Sequence, residues 1–122
     1  MSDIPIFNDP NKVPRPKDEV KIESLTAIPY ADRYRVRVEV SVTPFLERPN
    51  LILALFDADD KLINDLNIIE TMHADMEFTM HIRGIEDPTG TYRVDAELFY
   101  ETRNPPQDKQ STTVTVPTED DA

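Results

Sequence analysis

Asp57, Asp59, Asp60 and Asp65 put four carboxylates into one short stretch, and oxygen-rich stretches of this kind can hold calcium. A helix-loop-helix calcium loop needs glycine at its sixth position and glutamate at its twelfth. Leu62 and Ile68 stand there instead, and the motif fails. Aspartates at these spacings fit better as side-chain caps of a tight hairpin turn. His73 and His81, with Asp75 and Glu77 nearby, are the second candidate set, because two imidazoles and a carboxylate can ligate zinc. Their separation matches no known ligand spacing, and His81 shares its parity with Glu77, Thr79 and Arg83, the solvated side of an alternating run. No metal and no cofactor is assigned. Ser24, Ser41 and Ser111 lack a histidine and an acid arranged around them, so no catalytic residue is named and the expected class is a non-enzyme.

Arg33, Arg35 and Arg37 concentrate positive charge on one strand of an acidic chain. They either receive an acidic peptide or pair with acids on a neighbouring strand, with Glu77 as the candidate partner if strands two and five are neighbours.

The elements that must position these groups alternate with a period of two. In "RYRVRVEVSVT", Tyr34, Val36, Val38, Val40 and Val42 face one way, and Arg33, Arg35, Arg37, Glu39 and Ser41 the other. Met76, Phe78, Met80 and Ile82 repeat the pattern, as do Tyr92, Val94, Ala96, Leu98 and Tyr100. "LILALF", residues 51 to 56, is apolar on both parities, as expected of a central strand covered on both sides or lying beside a loop that folds over it. Residues 62 to 69, Val20 to Leu25 and Thr112 to Val116 complete seven strands. Residues 68 to 78 are the one place where a helical turn is expected to intrude. Eleven prolines punctuate the chain, four of them within the first sixteen residues. The organisation read from this is a proline-rich, disordered arm over 1–19, a domain over 20–117 and an acidic, disordered tail over 118–122.

Gly90-Thr91-Tyr92-Arg93-Val94 resembles the "G-x-Y-x-V" opening of strand F in immunoglobulin-like and fibronectin type III-like domains. The resemblance implies that Tyr92 hydrogen-bonds back to the preceding backbone. "LFDADDKLI" is similar to the "L-x-D-A-D-G-K" hairpin of bacterial immunoglobulin-like modules, with Asp60 where glycine is usual. With no cysteine pair and no tryptophan, antibody-type domains are not indicated. The expected fold is all-β, a seven-stranded immunoglobulin-like sandwich of two antiparallel sheets. That fold hosts unrelated activities and carries no function across by itself.

In such a sandwich the loops after strands two, four and six share one end. Here they carry Phe45 and Leu46, Met72 and His73, and Arg103 followed by Pro105 and Pro106. Phe45 and Leu46, bracketed by Pro44 and Pro49, either form a stiff recognition tip or fold down to plug the open end. Thirteen Lys and Arg against 24 Asp and Glu leave a formal charge of −11, which disfavours nucleic acid and anionic membranes. The absence of cysteine, of an apolar leader and of a membrane-length apolar window reads as a cytoplasmic protein. The functional expectation is a non-catalytic protein-interaction or structural module with a protein partner, binding by loop tips or a sheet edge. The alternatives are a homo-oligomeric structural subunit and, behind it, a metal-binding or carbohydrate-binding sandwich.

Overall fold

The structure, a computed structural model, describes residues 13–119. Seven strands follow one another: β1 Ile22–Pro29, β2 Arg35–Val42, β3 Asn50–Phe56, β4 Leu62–Ile68, β5 Asp75–His81, β6 Gly90–Phe99 and β7 Asp108–Val116. They form a three-stranded sheet in the order β1-β2-β5 and a four-stranded sheet in the order β4-β3-β6-β7, with every pairing antiparallel. The expected sandwich is therefore present. In the immunoglobulin constant arrangement the fourth strand lies beside the fifth. Here it pairs with β3 through a tight hairpin and joins the other sheet.

The alternation read from the sequence becomes the two walls of the core. Val36, Val38, Val40 and Val42 of β2 face Leu51, Leu53 and Leu55 of β3 and Val94, Ala96 and Leu98 of β6, all of them buried. β1 keeps Ile22 and Leu25 inward although they are three residues apart, because a bulge between Ile22 and Ser24 resets the parity. On the outer side of β3, Ile52, Ala54 and Phe56 are half-buried.

Some local expectations change. Tyr34 does not lead the core face: it is 41% exposed and donates its hydroxyl to the Glu86 carbonyl at 2.6 Å. The reason lies one residue earlier, where Arg33 takes φ 70° and turns the chain just before β2 begins. Residues 69–74 contain no helical turn; the described helical turn is a 3-10 turn at Lys17–Glu19. It follows a bridge in which Arg15 donates its N–H to Pro44 O at 2.9 Å and accepts from Leu46 N at 3.0 Å. The rest of the proline-rich arm, 1–12, and the tail beyond 119 lie outside the described residues.

The β3–β4 turn shows how the aspartates are used. Asp57 Oδ1 accepts from the N–H groups of Asp59 and Lys61, both at 2.9 Å, and Asp60 stands in the left-handed region at φ 64°. Asp60 thus takes the backbone conformation that the related hairpins give to glycine.

Candidate functional site

Tyr92 behaves as its motif implies. Gly90 opens β6 at φ 145°, a conformation that favours glycine, and two residues later the buried Tyr92 donates its hydroxyl to Pro88 O at 2.7 Å. The bond ties the β5–β6 crossover to the sheet that it enters. Burial, reinforced by the negative charges of Asp57 and Asp87, pushes the Tyr92 phenol above its ordinary value of 10.0. At the same end, Arg33 donates Nε to Pro117 O at 2.9 Å and pairs through its outer nitrogen with Asp87 at 3.2 Å. The N–H of Thr89 first and then its hydroxyl lower the pKa of the exposed Asp87, desolvation opposes them, and Arg33 adds a lesser lowering.

The arginine stripe is consequently divided. Arg33 is drawn into the turn, while Arg35 pairs with Asp32 at 2.7 Å and lies 4.3 Å from the Tyr30 ring centroid. Arg37 lies 3.4 Å from Glu39 on its own strand. β2 and β5 do pair, but the register sets Glu77 opposite Glu39, with Arg37 opposite Thr79 and Arg35 opposite His81. The acids that Arg35 and Arg37 meet thus lie on β2 and the turn before it, while Arg33 meets Asp87 of the β5–β6 connection.

At the other end the loops after β2, β4 and β6 come together, and Asn50 connects them. Its side-chain amide donates to Tyr100 O at 3.0 Å and accepts from Glu70 N at 2.8 Å. Thr71 N donates to Pro49 O at 2.9 Å, and Tyr100 donates its hydroxyl to Glu47 O at 2.9 Å. Sequence reading missed Asn50, whose only signal was a polar amide at the head of an apolar strand. Phe45 and Leu46 take different roles: Phe45 packs half-buried against the core beside Arg15, whereas Leu46 is 69% exposed. Arg103 folds back onto Glu97 of β6 at 2.9 Å. Met72 and His73 are both exposed.

Met72 belongs to a feature that the sequence did not announce. Between the β4–β5 connection and the edge of β5 runs an open groove of about 660 Å³, with Ile68, Ile69, Met72, Met76 and Phe78 as its apolar lining. Ile69 and Met72 are 70% and 68% exposed, the most open large apolar residues of the described chain apart from Leu46. Arg48, Glu70, His73 and Glu77 supply polar parts of its lining. The two histidines and the neighbouring acids do not assemble into a group of three or more metal-capable side chains among the described residues.

The outer face of the four-stranded sheet carries a charged network. Arg93 stacks 4.5 Å from the Phe56 ring centroid and bridges Asp60 and Asp95. Asp95, 9% exposed, also accepts from Ser111 at 2.7 Å and lies 3.9 Å from Lys109 Nζ. The network pins β6 to β7 and to the β3–β4 turn.

No known protein-family profile matches the chain, and no curated protein is significantly similar to it. Among solved structures it is similar to part of a family 76 glycoside hydrolase from a bovine Bacteroides thetaiotaomicron strain, with a TM-score of 0.64 and 10% identity over 79% of this chain and 20% of that one. A Bifidobacterium dentium β-glucuronidase is similar at a TM-score of 0.55 and 14% identity, over 80% of this chain and 18% of the enzyme. A glycosyl hydrolase family 2 member from Bacteroides cellulosilyticus is similar at 0.52 and 11%, over 80% of this chain and 14% of the enzyme. The chain thus spans a fifth or less of the length of these proteins. At such identities the likeness is one of fold: an all-β two-sheet domain of a kind found as one part of larger glycoside hydrolases. Among the described residues no helix is long and apolar enough to cross a membrane.

Proposed function

We propose that this chain is a non-catalytic interaction module that docks a protein through the apolar groove beside β5. The observation that carries the reading is the pair Ile69 and Met72, held open to solvent at the rim of a groove floored by Met76 and Phe78. Clustered large apolar side chains kept exposed on a framework of this kind mark interaction surfaces and binding grooves. The framework is rigid here because Asn50, Thr71 and Tyr100 tie the surrounding loops together. The fold's occurrence as a fraction of larger proteins agrees with an accessory role.

Carbohydrate binding is the second reading, and the glycoside hydrolase neighbours favour it. Sugar recognition on a sandwich uses open aromatic faces. Arg35 covers one face of the Tyr30 ring and Arg93 one face of the Phe56 ring, which leaves less open aromatic surface for a pyranose to stack on.

The test is the double variant Ile69→Asp, Met72→Asp. Both sites are exposed, so the melting temperature is expected to stay within about 2 °C of the parent. Retention of a protein partner from an extract of the source organism is expected to be lost. Equal retention by parent and variant overturns the reading, and slowed migration of the parent through polysaccharide-containing gels, unaffected by the double variant, selects the carbohydrate alternative.

A further inference from the structure

The sandwich has two sides where the sheets' edge strands come near each other, and they are finished differently. On the β1/β7 side, side chains cover the head of β1: Ile22 N donates to Asp108 Oδ2 at 2.8 Å, and Gln110 Nε2 donates to Ile22 O at 2.7 Å. Gln107 Nε2 adds bonds to Lys17 O at 2.7 Å and Val20 O at 2.6 Å. On the β4/β5 side, Asn64 Nδ2 donates to His81 O at 3.2 Å. Further along β5, toward Glu77, lies the groove.

The ladder fixes which backbone groups of β5 point outward. Val42 N donates to Ala74 O and Ile82 N to Tyr34 O, so both of those opposed pairs are hydrogen-bonded. Bonded and non-bonded pairs alternate in an antiparallel ladder. Met76, Phe78 and Met80 therefore turn their N–H and C=O groups to β2, while Glu77 and Thr79 turn theirs away from it. Among the described residues no hydrogen bond reaches these outward groups. The side chains are sorted as well. Met76 and Phe78, half-buried, belong to the apolar lining of the groove, and Glu77 between them, exposed and on the alternate parity, adds to its polar lining. Directly across from Glu77 is Glu39, a like-charged pair that costs stability. Glu39 has Arg37 at 3.4 Å and the Thr26 hydroxyl at 3.2 Å.

We infer that the outward edge of β5 accepts an extended segment of a partner polypeptide as an added strand. Its alternate residues are large and apolar, facing the groove, and those between are lysine or arginine, facing Glu77 and Glu39. Strand addition takes its affinity from main-chain bonds and its specificity from the alternate side chains, and both halves of that requirement are met at Glu77 and Thr79. Charge selects the occupant: a cation beside Glu77 relieves the repulsion across the β2–β5 pair. A second copy of the chain fits poorly, since each copy carries a formal charge of −11 and its own alternating Arg and Val run is consumed as β2. The inference rests on the interaction-module reading and names the chemistry of the docked segment.

The probe is a capped synthetic peptide, Gly-Lys-Val-Lys-Ile-Lys-Val-Lys-Gly, titrated against the isotope-labelled chain and followed by amide and methyl resonances. Shifts are expected to centre on the Glu77 and Thr79 amides and the Met72 and Met76 methyls. The same peptide with glutamate in place of lysine is expected not to bind. Glu77→Lys is expected to weaken binding about tenfold by charge reversal. Glu77→Pro removes one outward N–H at an edge position where proline is tolerated, and is expected to weaken it similarly. Equal binding of the acidic peptide, shifts centred on β7 or β4, no binding, or indifference to both Glu77 variants each overturns the inference. If the peptide leaves β5 unperturbed while Ile69→Asp, Met72→Asp still abolishes partner retention, the added-strand inference falls and the interaction-module reading stands. If partner retention also survives that double variant, both fall.

Discussion

Tyr92→Phe isolates one hydrogen bond with little change in packing, because the ring stays and only the hydroxyl leaves. That hydroxyl donates to Pro88 O at 2.7 Å from a side chain only 4% exposed, and Pro88 is itself buried. An intramolecular hydrogen bond contributes about 1 kcal/mol net, while a buried carbonyl left without its donor costs about 1–3 kcal/mol. The expected loss is therefore ~2 kcal/mol. For a domain of roughly 100 residues each kcal/mol moves the midpoint by ~4 °C, which makes the expected fall ~8 °C. Tyr100→Phe is the internal control. Its hydroxyl, on a half-buried ring, bonds to the carbonyl of the exposed Glu47 at 2.9 Å, where water replaces the lost donor, and a loss of about 0.5 kcal/mol is expected. Calorimetry and urea unfolding of the parent and both variants settle the matter, with unchanged urea slopes confirming that the same surface is exposed. If Tyr92→Phe melts within 2 °C of the parent, or Tyr100→Phe is the more damaging, the tyrosine does not anchor the crossover and the reasoning fails.

At alkaline pH both phenols oppose unfolding only while protonated. Burial, then Glu47, pushes Tyr100 up to about 12, and Tyr92 is also raised, so above about 10 the unfolded chain binds fewer protons than the folded one and stability should fall toward pH 12; a flat profile in urea titrations across that window contradicts this. Asp60→Gly and Asp60→Ala both lose the pair with Arg93, but only alanine stays strained at φ 64°, so the glycine variant is expected to be more stable by about 1 kcal/mol, and equal midpoints would count against the strain. Asn50→Ala should cost about 1–2 kcal/mol and raise hydrogen exchange at Glu70, whose N–H loses its acceptor; unaltered exchange there would show that the amide does not organise the loops. Leu53→Ala, in the middle of the core, is expected to cost about 2–5 kcal/mol by chemical denaturation, and less than 1 kcal/mol would mean a loosely packed interior.

What the sequence disclosed and what it concealed divide along the range of the interactions. Period-two alternation is a local property, and the valines of β2 and the Tyr92 to Leu98 run of β6 lie where it puts them. The Tyr92 bond and the β3–β4 hairpin are also local, spanning four residues each. Tyr34 departs because a single left-handed residue, Arg33, redirects the chain, and arginine is not a residue whose type announces positive φ. Arg35 and Arg37 take acids within three residues of themselves, and what keeps Glu77 from them is the β2–β5 register, which a strand pattern cannot supply across the intervening chain. The groove is concealed for a related reason. Ile69, Met72, Met76 and Phe78 look like core in any window, and only the sheet order shows that β4 and β5 are both edges with nothing described between them there.

The contrast between the two sides of the sandwich is the strongest argument that the groove is used. An exposed strand edge invites indiscriminate pairing, and natural sheets suppress it by side-chain cover, charge, proline or bulges. This chain applies such cover at the head of β1, where Asp108, Gln107 and Gln110 meet the backbone groups of Lys17, Val20 and Ile22. Three polar side chains spent on one edge show that the sequence has the means to close an edge. On β5 the Asn64 amide covers His81 O at one end, and beside the groove there is only charge, with Glu77 set opposite Glu39 at a cost in stability and Ile69 and Met72 left in water nearby. Negative charge on the edge repels acidic strands and attracts basic ones, so this finish disfavours copies of the same acidic chain while leaving the edge open to a strand of opposite sign. An edge protected against itself and open to a complementary strand is selective, and selectivity of that kind is what a docking strand requires.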